Sequence, residues 1–156
     1  MANRSVVVER RIAAPAERVW RTLTDLERAP AVLSGVDSVE VLSSGPFRVG
    51  TRWRETRRVL GRQATEEMYV TTSEPPRRFV VEADSQGAHY TSEFVLSETG
   101  TDRTQVRMTF TAVPPPGMSG LLARVFGAIG AKAVAKTIAR DLADVATAVE
   151  QGYGTV

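Results

Sequence analysis

Between Val36 and Val113, apolar and polar residues alternate in short runs separated by turn residues. After Pro114-Pro115-Pro116-Gly117 the apolar period lengthens to three and four. Alternation of period two marks strands with one buried face, and the longer period marks an amphipathic helix. The alternation predicts strands over Ser5–Ile12, Val36–Leu42, Thr51–Val59 and Ala64–Thr72. Further strands should follow around Phe79–Ala83, Ala88–Leu96 and Val106–Ala112. Val19, Trp20 and Leu23 stand at helical spacing behind Pro15, which suits a first helical turn. A second short helix is expected over Leu26–Leu33, broken near Pro30. The terminal stripe runs Leu122, Val125, Phe126, Ile129 and Ala133, then Ile138, Leu142, Val145 and Val149. Gly127 and Gly130 allow a break within it. Residues 131–151 would make a helix about 30 Å long at 1.5 Å per residue. One long striped helix facing a run of hairpins buries its stripe most economically in the curl of an antiparallel sheet. The expectation is an α+β helix-grip architecture: about seven curled strands around the terminal helix, with two short helices after the first strand.

The hairpins also predict a register. If Leu60-Gly61 is a two-residue turn, Trp53 faces Met68, Glu55 faces Glu66 and Arg57 faces Ala64. Arg54 then meets Glu67 on the outer face, a favourable cross-strand pair. A four-residue loop would instead pair Arg57 with Glu66 directly, and either way the three charges cluster. The returning strand puts Ala64, Glu66, Met68, Val70 and Thr72 on the inner parity. Phe79, Val81 and Ala83 join them, then a loop over Asp84–Gly87. Tyr90, Ser92, Phe94 and Leu96 continue the inner face, followed by Val106, Met108, Phe110 and Ala112.

The chain has 156 residues, 42% hydrophobic and 24% charged, which bounds it to one domain over 1–156 with a core over about 5–151. It has no cysteine, so disulfides and thiolate chemistry are excluded. Eighteen of its 20 basic residues are arginine, but 18 acids interleave with them and the net charge is only +2, which argues against nucleic acid. No stretch approaches the roughly 20 apolar residues of a membrane helix, and Met1–Arg11 lacks a signal-peptide core. A cytoplasmic location, and a monomer or homodimer, are expected.

Three segments carry a family resemblance. They are Val8-Glu9-Arg10-Arg11-Ile12-Ala13-Ala14-Pro15-Ala16-Glu17-Arg18-Val19-Trp20 with Leu23-Thr24-Asp25, then Gly50-Thr51-Arg52-Trp53-Arg54-Glu55-Thr56-Arg57, then Glu74-Pro75-Pro76-Arg77-Arg78-Phe79. Together they resemble the SRPBCC superfamily, with its START-like or birch-pollen-allergen-like helix-grip fold. Within it the chain is similar to the small bacterial proteins of polyketide cyclase/dehydrase type. The likeness spans about Ser5–Gln151. It implies a ligand cavity between sheet and terminal helix, and its motifs specify the fold more than the function. Relatives often carry an aromatic residue near Pro30, where this chain has Ala31-Val32-Leu33.

The chemistry that the inner parity offers is polar residues among apolar ones. Glu55, Glu66 and Arg57 share a face with Trp53 and Met68. Buried charges must be paired, and two carboxylates beside one arginine would raise a carboxyl pKa. The alternative is a wet ion-pair cluster at the open end of the sheet. Tyr90 and Ser92 share the parity of Phe94, and a buried tyrosine hydroxyl needs a partner, either a ligand or the backbone. Val81, Met108, Phe110, Phe126 and Ile129 complete the expected ligand-lining set. Leu121–Ile129 is read as core, or as a lid hinged at Pro114–Gly117. His89 lies on the outer parity beside Glu82, where an exposed pair is expected. A single histidine cannot supply a two-histidine iron site, no cysteine means no thiolate zinc site, and Gly117-Met118-Ser119-Gly120 lacks the lysine of a phosphate loop. No cofactor and no metal are expected.

The first functional expectation is binding of an apolar or aromatic small molecule, driven by burial at about 25 cal/mol per Å². A second, implied by the resemblance, is a polyketide aromatase/cyclase or dehydratase using Glu55, Arg57 or Tyr90 for proton transfer. A third is an adaptor acting through its surface without a ligand.

Overall fold

The computed structural model describes residues 4–59, 61–117 and 128–151. Strand β1 (Arg4–Ile12) is followed by helix α1 (Ala16–Thr24), a 3₁₀ turn (Leu26–Arg28) and the one-turn helix α2 (Ala29–Val32). Six strands then run as a meander: β2 (Val36–Val41), β3 (Arg52–Val59), β4 (Arg62–Glu74), β5 (Arg78–Ser85), β6 (Ala88–Gly100) and β7 (Arg103–Val113). The terminal helix α3 spans Ala128–Glu150. All seven strands form one antiparallel sheet in the order β1-β7-β6-β5-β4-β3-β2. The sheet curls around α3, and the helix-grip architecture expected from the hydrophobic pattern is the one observed. Among the described residues no helix is long and apolar enough to cross a membrane.

The two-residue β3–β4 turn sets the register that parity demands. Trp53 pairs with Met68, Arg54 with Glu67, Glu55 with Glu66 and Arg57 with Ala64. Four local expectations are corrected. Pro15 is the residue capping α1, one position before its first turn. The β5–β6 connection is a two-residue turn rather than a four-residue loop, because Ser85 still pairs with Ala88. Gln86 and Gly87 both take positive φ, 53° and 83°, a geometry that matches strand twist and that glycine adopts at no steric cost. A bulge between Val70 and Thr72 puts Thr72 opposite Val80 and Ser73 opposite Phe79. The inner parity of β4 therefore passes from Val70 to Ser73, and Thr72 faces outward. On α3, Ala133 is exposed, and Val134 packs against the core in its stead.

One face of α3 supplies Ile138, Leu142, Val145 and Val149, all with less than a tenth of their surface exposed. They meet Ile12, Ala14, Val19, Trp20, Leu96 and Val106 in a single core. Aromatic rings seal one end of it. Trp20 meets Phe79 edge-on at 5.2 Å, Phe47 meets Phe79 at 5.3 Å, and Phe79 stacks on Phe94 at 4.5 Å. The C-terminal end of α3 is tied to this end. Arg18 donates to the Val149 carbonyl at 2.6 Å, and the Ala13 amide donates to Glu150 at 2.8 Å.

Leu142→Ala removes the most buried side chain of the stripe and leaves a cavity, so it is expected to lower unfolding free energy by about 3 kcal/mol. Ala133→Ser on the exposed flank should change it by less than about 0.5 kcal/mol. Urea unfolding followed by tryptophan fluorescence distinguishes the two.

Candidate functional site

The concave face divides into two zones. Toward the Trp20 end, Val70, Phe79, Leu96 and Val106 are sealed. Toward the β3–β4 and β5–β6 turns, the inward positions Glu66, Met68, Tyr90, Ser92 and Phe110 stay half-buried although they share the same face. Register places them on adjacent rows. Tyr90, Ala83, Met68 and Trp53 stand side by side across four strands, and Phe110, Ser92 and Val81 form the next row. Tyr90 stacks on Phe110 with ring centres 5.7 Å apart. Burial pushes the Tyr90 hydroxyl up from its ordinary value, and the nearby Glu66 charge adds to the shift.

The charged cluster forms, with one member exchanged. Arg57 donates from Nε to Glu55 at 2.8 Å, and from its two terminal nitrogens to both oxygens of Asp141 at 3.3 and 2.9 Å. This is a bidentate pair from the sheet to the middle of α3. Glu66 does not join it. Its carboxylate accepts instead from the Ser85 hydroxyl at 3.0 Å, across to the next hairpin. Burial lowers the Arg57 value, but the charges and hydrogen bonds of Asp141 and Glu55 outweigh it and hold the guanidinium pKa above normal. Burial pushes the Asp141 carboxyl up, opposed by Arg57 and reinforced by the Glu55 and Asp144 charges. Two carboxylates share one guanidinium, and the proton affinity of Asp141 rises.

Asp141 is not among the residues that parity and spacing single out. Its signal is nonetheless present: it stands three residues after Ile138 and four before Val145, inside the apolar stripe. Neighbouring polar contacts lock the same stretch of helix. The Ser34 amide and hydroxyl donate to Asp144 at 2.9 and 2.8 Å, and Arg140 donates to the Ser34 hydroxyl at 3.0 Å. Gly35 lies against Arg57, where an added Cβ would come within 3.3 Å of the guanidinium.

The remaining expected ligand residues fall as follows. Trp53, Val81 and Met108 are buried on the concave face. Phe94 is half-buried and belongs to the packed aromatic end rather than to the Tyr90 end. Phe126 lies outside the described residues, as does the side chain of Ile129, so the lid reading of the segment before α3 lies there too. A depression of about 280 Å³ opens where β1, the β6–β7 turn and the end of α3 meet, lined by Arg11, Ile12, Ala13, Thr99, Arg103 and Glu150. It holds none of the expected residues and sits beyond the sealed core. The inward polar groups lie at the other end.

His89 is on the outer face, as its parity requires. Its Nδ1 lies 2.6 Å from Asp84 and its Nε2 lies 2.7 Å from Glu82. The bond to Asp84 and then that to Glu82 hold the imidazole pKa above its ordinary 6.5. A raised folded value means that this clamp stabilises fully below the ordinary value and is lost as pH rises through the folded one.

A family model described as polyketide cyclase/dehydrase and lipid transport matches residues 3–150. No curated protein is similar enough to match. Among solved structures, a protein of Thermus thermophilus is 25% identical, with a TM-score of 0.77 over 96% of this chain and 99% of that one. The Zhui aromatase/cyclase of Streptomyces sp. R1128 is 21% identical, with a TM-score of 0.80 over 99% and 98%. A START superfamily protein of Mycobacterium smegmatis is 14% identical, with a TM-score of 0.76 over 94% and 97%.

Removing Arg57 would strand two buried carboxylates. Arg57→Met is expected to lower stability by about 3 kcal/mol at pH 8. At pH 5 the loss should shrink, because the Asp141 carboxyl, already pushed up by burial, binds a proton once Arg57 is gone and sheds its charge; urea midpoints at the two pH values measure this. For His89→Gln, the stability gap to wild type should be widest below pH 6.5 and close as pH climbs above it. Thermal unfolding across pH 5.5–9 checks that direction.

Proposed function

The chain belongs to the polyketide cyclase/dehydrase and lipid transport family, and from that premise we propose that it binds an apolar or aromatic small molecule between the concave face of the sheet and α3. The observation that carries this reading is the half-burial of Glu66, Met68, Tyr90, Ser92 and Phe110 on a face whose other end is sealed. Inward side chains that keep solvent access in a curled sheet line space that a ligand can fill. Trp53, Val81 and Met108 would form the floor. Tyr90 with Phe110 would offer an aromatic wall, and Glu55, Glu66 and Arg57 a polar border that orients the ligand. Phe126 and Ile129 would approach from the segment entering α3. Burial supplies the affinity, at about 25 cal/mol per Å² of apolar surface.

A second reading, conversion of the ligand, is favoured by one observation. Asp141, half-buried beside Arg57 and Glu55, has the raised proton affinity of a general acid or base. The family description and the aromatase/cyclase neighbour support it by analogy. In that reading pocket shape folds the chain of the substrate, and Tyr90, Glu55 or Asp141 moves a proton.

Native mass spectrometry of freshly purified protein tests both. A bound mass is expected in the wild type and should vanish in Ser92→Trp, whose indole fills the space, while circular dichroism remains unchanged. Retention of the mass in that variant places the ligand elsewhere. Conversion predicts a product on extraction from wild type, and the unconverted compound from Glu55→Gln or Tyr90→Phe.

A further inference from the structure

Trp53 has only 4% of its surface exposed, and its indole nitrogen is sealed from water with no hydrogen-bond acceptor among the described residues. The ring stands on the concave face, between Val41 on β2 and Met68 on β4. One row further along the same face are Glu55 and Glu66. An orphaned buried donor destabilises the fold, and native proteins rarely leave one without a reason. The protein's own carboxylates do not satisfy it: Glu55 is engaged by Arg57 and Glu66 by Ser85.

The charge around this donor limits what can satisfy it. Glu55 and Asp141 occupy both donor-bearing faces of Arg57, and Glu66 adds a third carboxylate that no cation pairs among the described residues. A second anion brought here would lose its water and meet net negative charge. A neutral oxygen would not.

We infer that Trp53 is the donor that anchors the ligand, and that the site takes a neutral carbonyl or hydroxyl oxygen on an apolar body and rejects carboxylates and phosphates. This rests on the ligand-binding reading above and narrows it to a substrate class. The indole N–H supplies the hydrogen bond. The three carboxylates supply the discrimination, and Met68, Tyr90 and Phe110 supply the apolar contact.

Three probes of one shape test this: 2-acetylnaphthalene, 2-ethylnaphthalene and 2-naphthoate, titrated by calorimetry at pH 8. The ketone is expected to bind wild type about tenfold tighter than the ethyl compound, the equivalent of one hydrogen bond. Naphthoate should bind more weakly than either. Trp53→Phe keeps an aromatic ring and removes the N–H, so it should abolish the ketone preference, bringing the ratio of ketone to ethyl affinity to about one whatever the affinity of each. A measurement on the wild type needs no variant to fold: the indole ¹H–¹⁵N signal of Trp53, told apart from that of Trp20, should move downfield with the ketone and not with the ethyl compound. A ketone preference that survives Trp53→Phe, an unmoved indole signal, or naphthoate binding as tightly as the ketone would overturn the inference and leave the ligand-binding reading intact. If none of the three binds wild type, that reading itself fails.

Discussion

A guanidinium held between a strand and a helix must be neutralised where it stands, and Arg57 is neutralised from both sides. Glu55 meets it within β3, while Asp141 meets it from α3. Because the Asp141 contact uses both carboxylate oxygens, it fixes the rotation of the helix as well as its height above the sheet. The apolar stripe alone would tolerate sliding, since Ile138, Leu142 and Val145 repeat along the axis. The charge pair does not repeat. Together with the Arg18 and Glu150 contacts at the far end, it gives α3 two fixed points. The curl of the sheet then decides what lies between and beyond them.

Beyond them the interior is unequal. The end near α1 is filled by Trp20, Phe47, Phe79 and Phe94, whose rings meet edge-on or stacked. The other end has the same strands and the same parity, but smaller or polar residues at Ala83, Ala88, Ser85 and Ser92. Stability is concentrated where the rings are, and the turn end is left free to be shaped by what it holds.

Much of this is legible in the order of residues. A period of two with a two-residue turn at Leu60-Gly61 leaves one consistent pairing for Trp53, Glu55 and Arg57, and the sheet adopts it. The helix stripe from Ile138 to Val149 is equally plain, because each of its members is apolar and the spacing never slips. What the pattern does not reveal involves one residue acting against a local rule. Thr71 and Thr72 give no hint of a bulge, since either could face either way. Ala133 and Val134 are both apolar, and only the tilt of the helix decides between them. Asp141 is hidden because a charge inside a stripe reads as a flaw until its partner on another element is known. Parity groups Glu66 with Arg57, yet Ser85 lies nearer across the sheet. The orphaned Trp53 nitrogen is a three-dimensional property and has no signature in sequence.

The sheet closes out of chain order. Strands β2 to β7 pair each with its successor, but β1 pairs with β7, so that Ser5 meets Thr111 across 106 positions. A growing chain emerging from the ribosome can therefore zip its meander as it appears. Strand β1 must wait, unpaired, until β7 has been made about a hundred residues later. Such distant closure is slow and entropically costly. Glu9, Arg10 and Arg11 place charge along that waiting segment, the kind of residue that blunts pairing of an open strand with other chains.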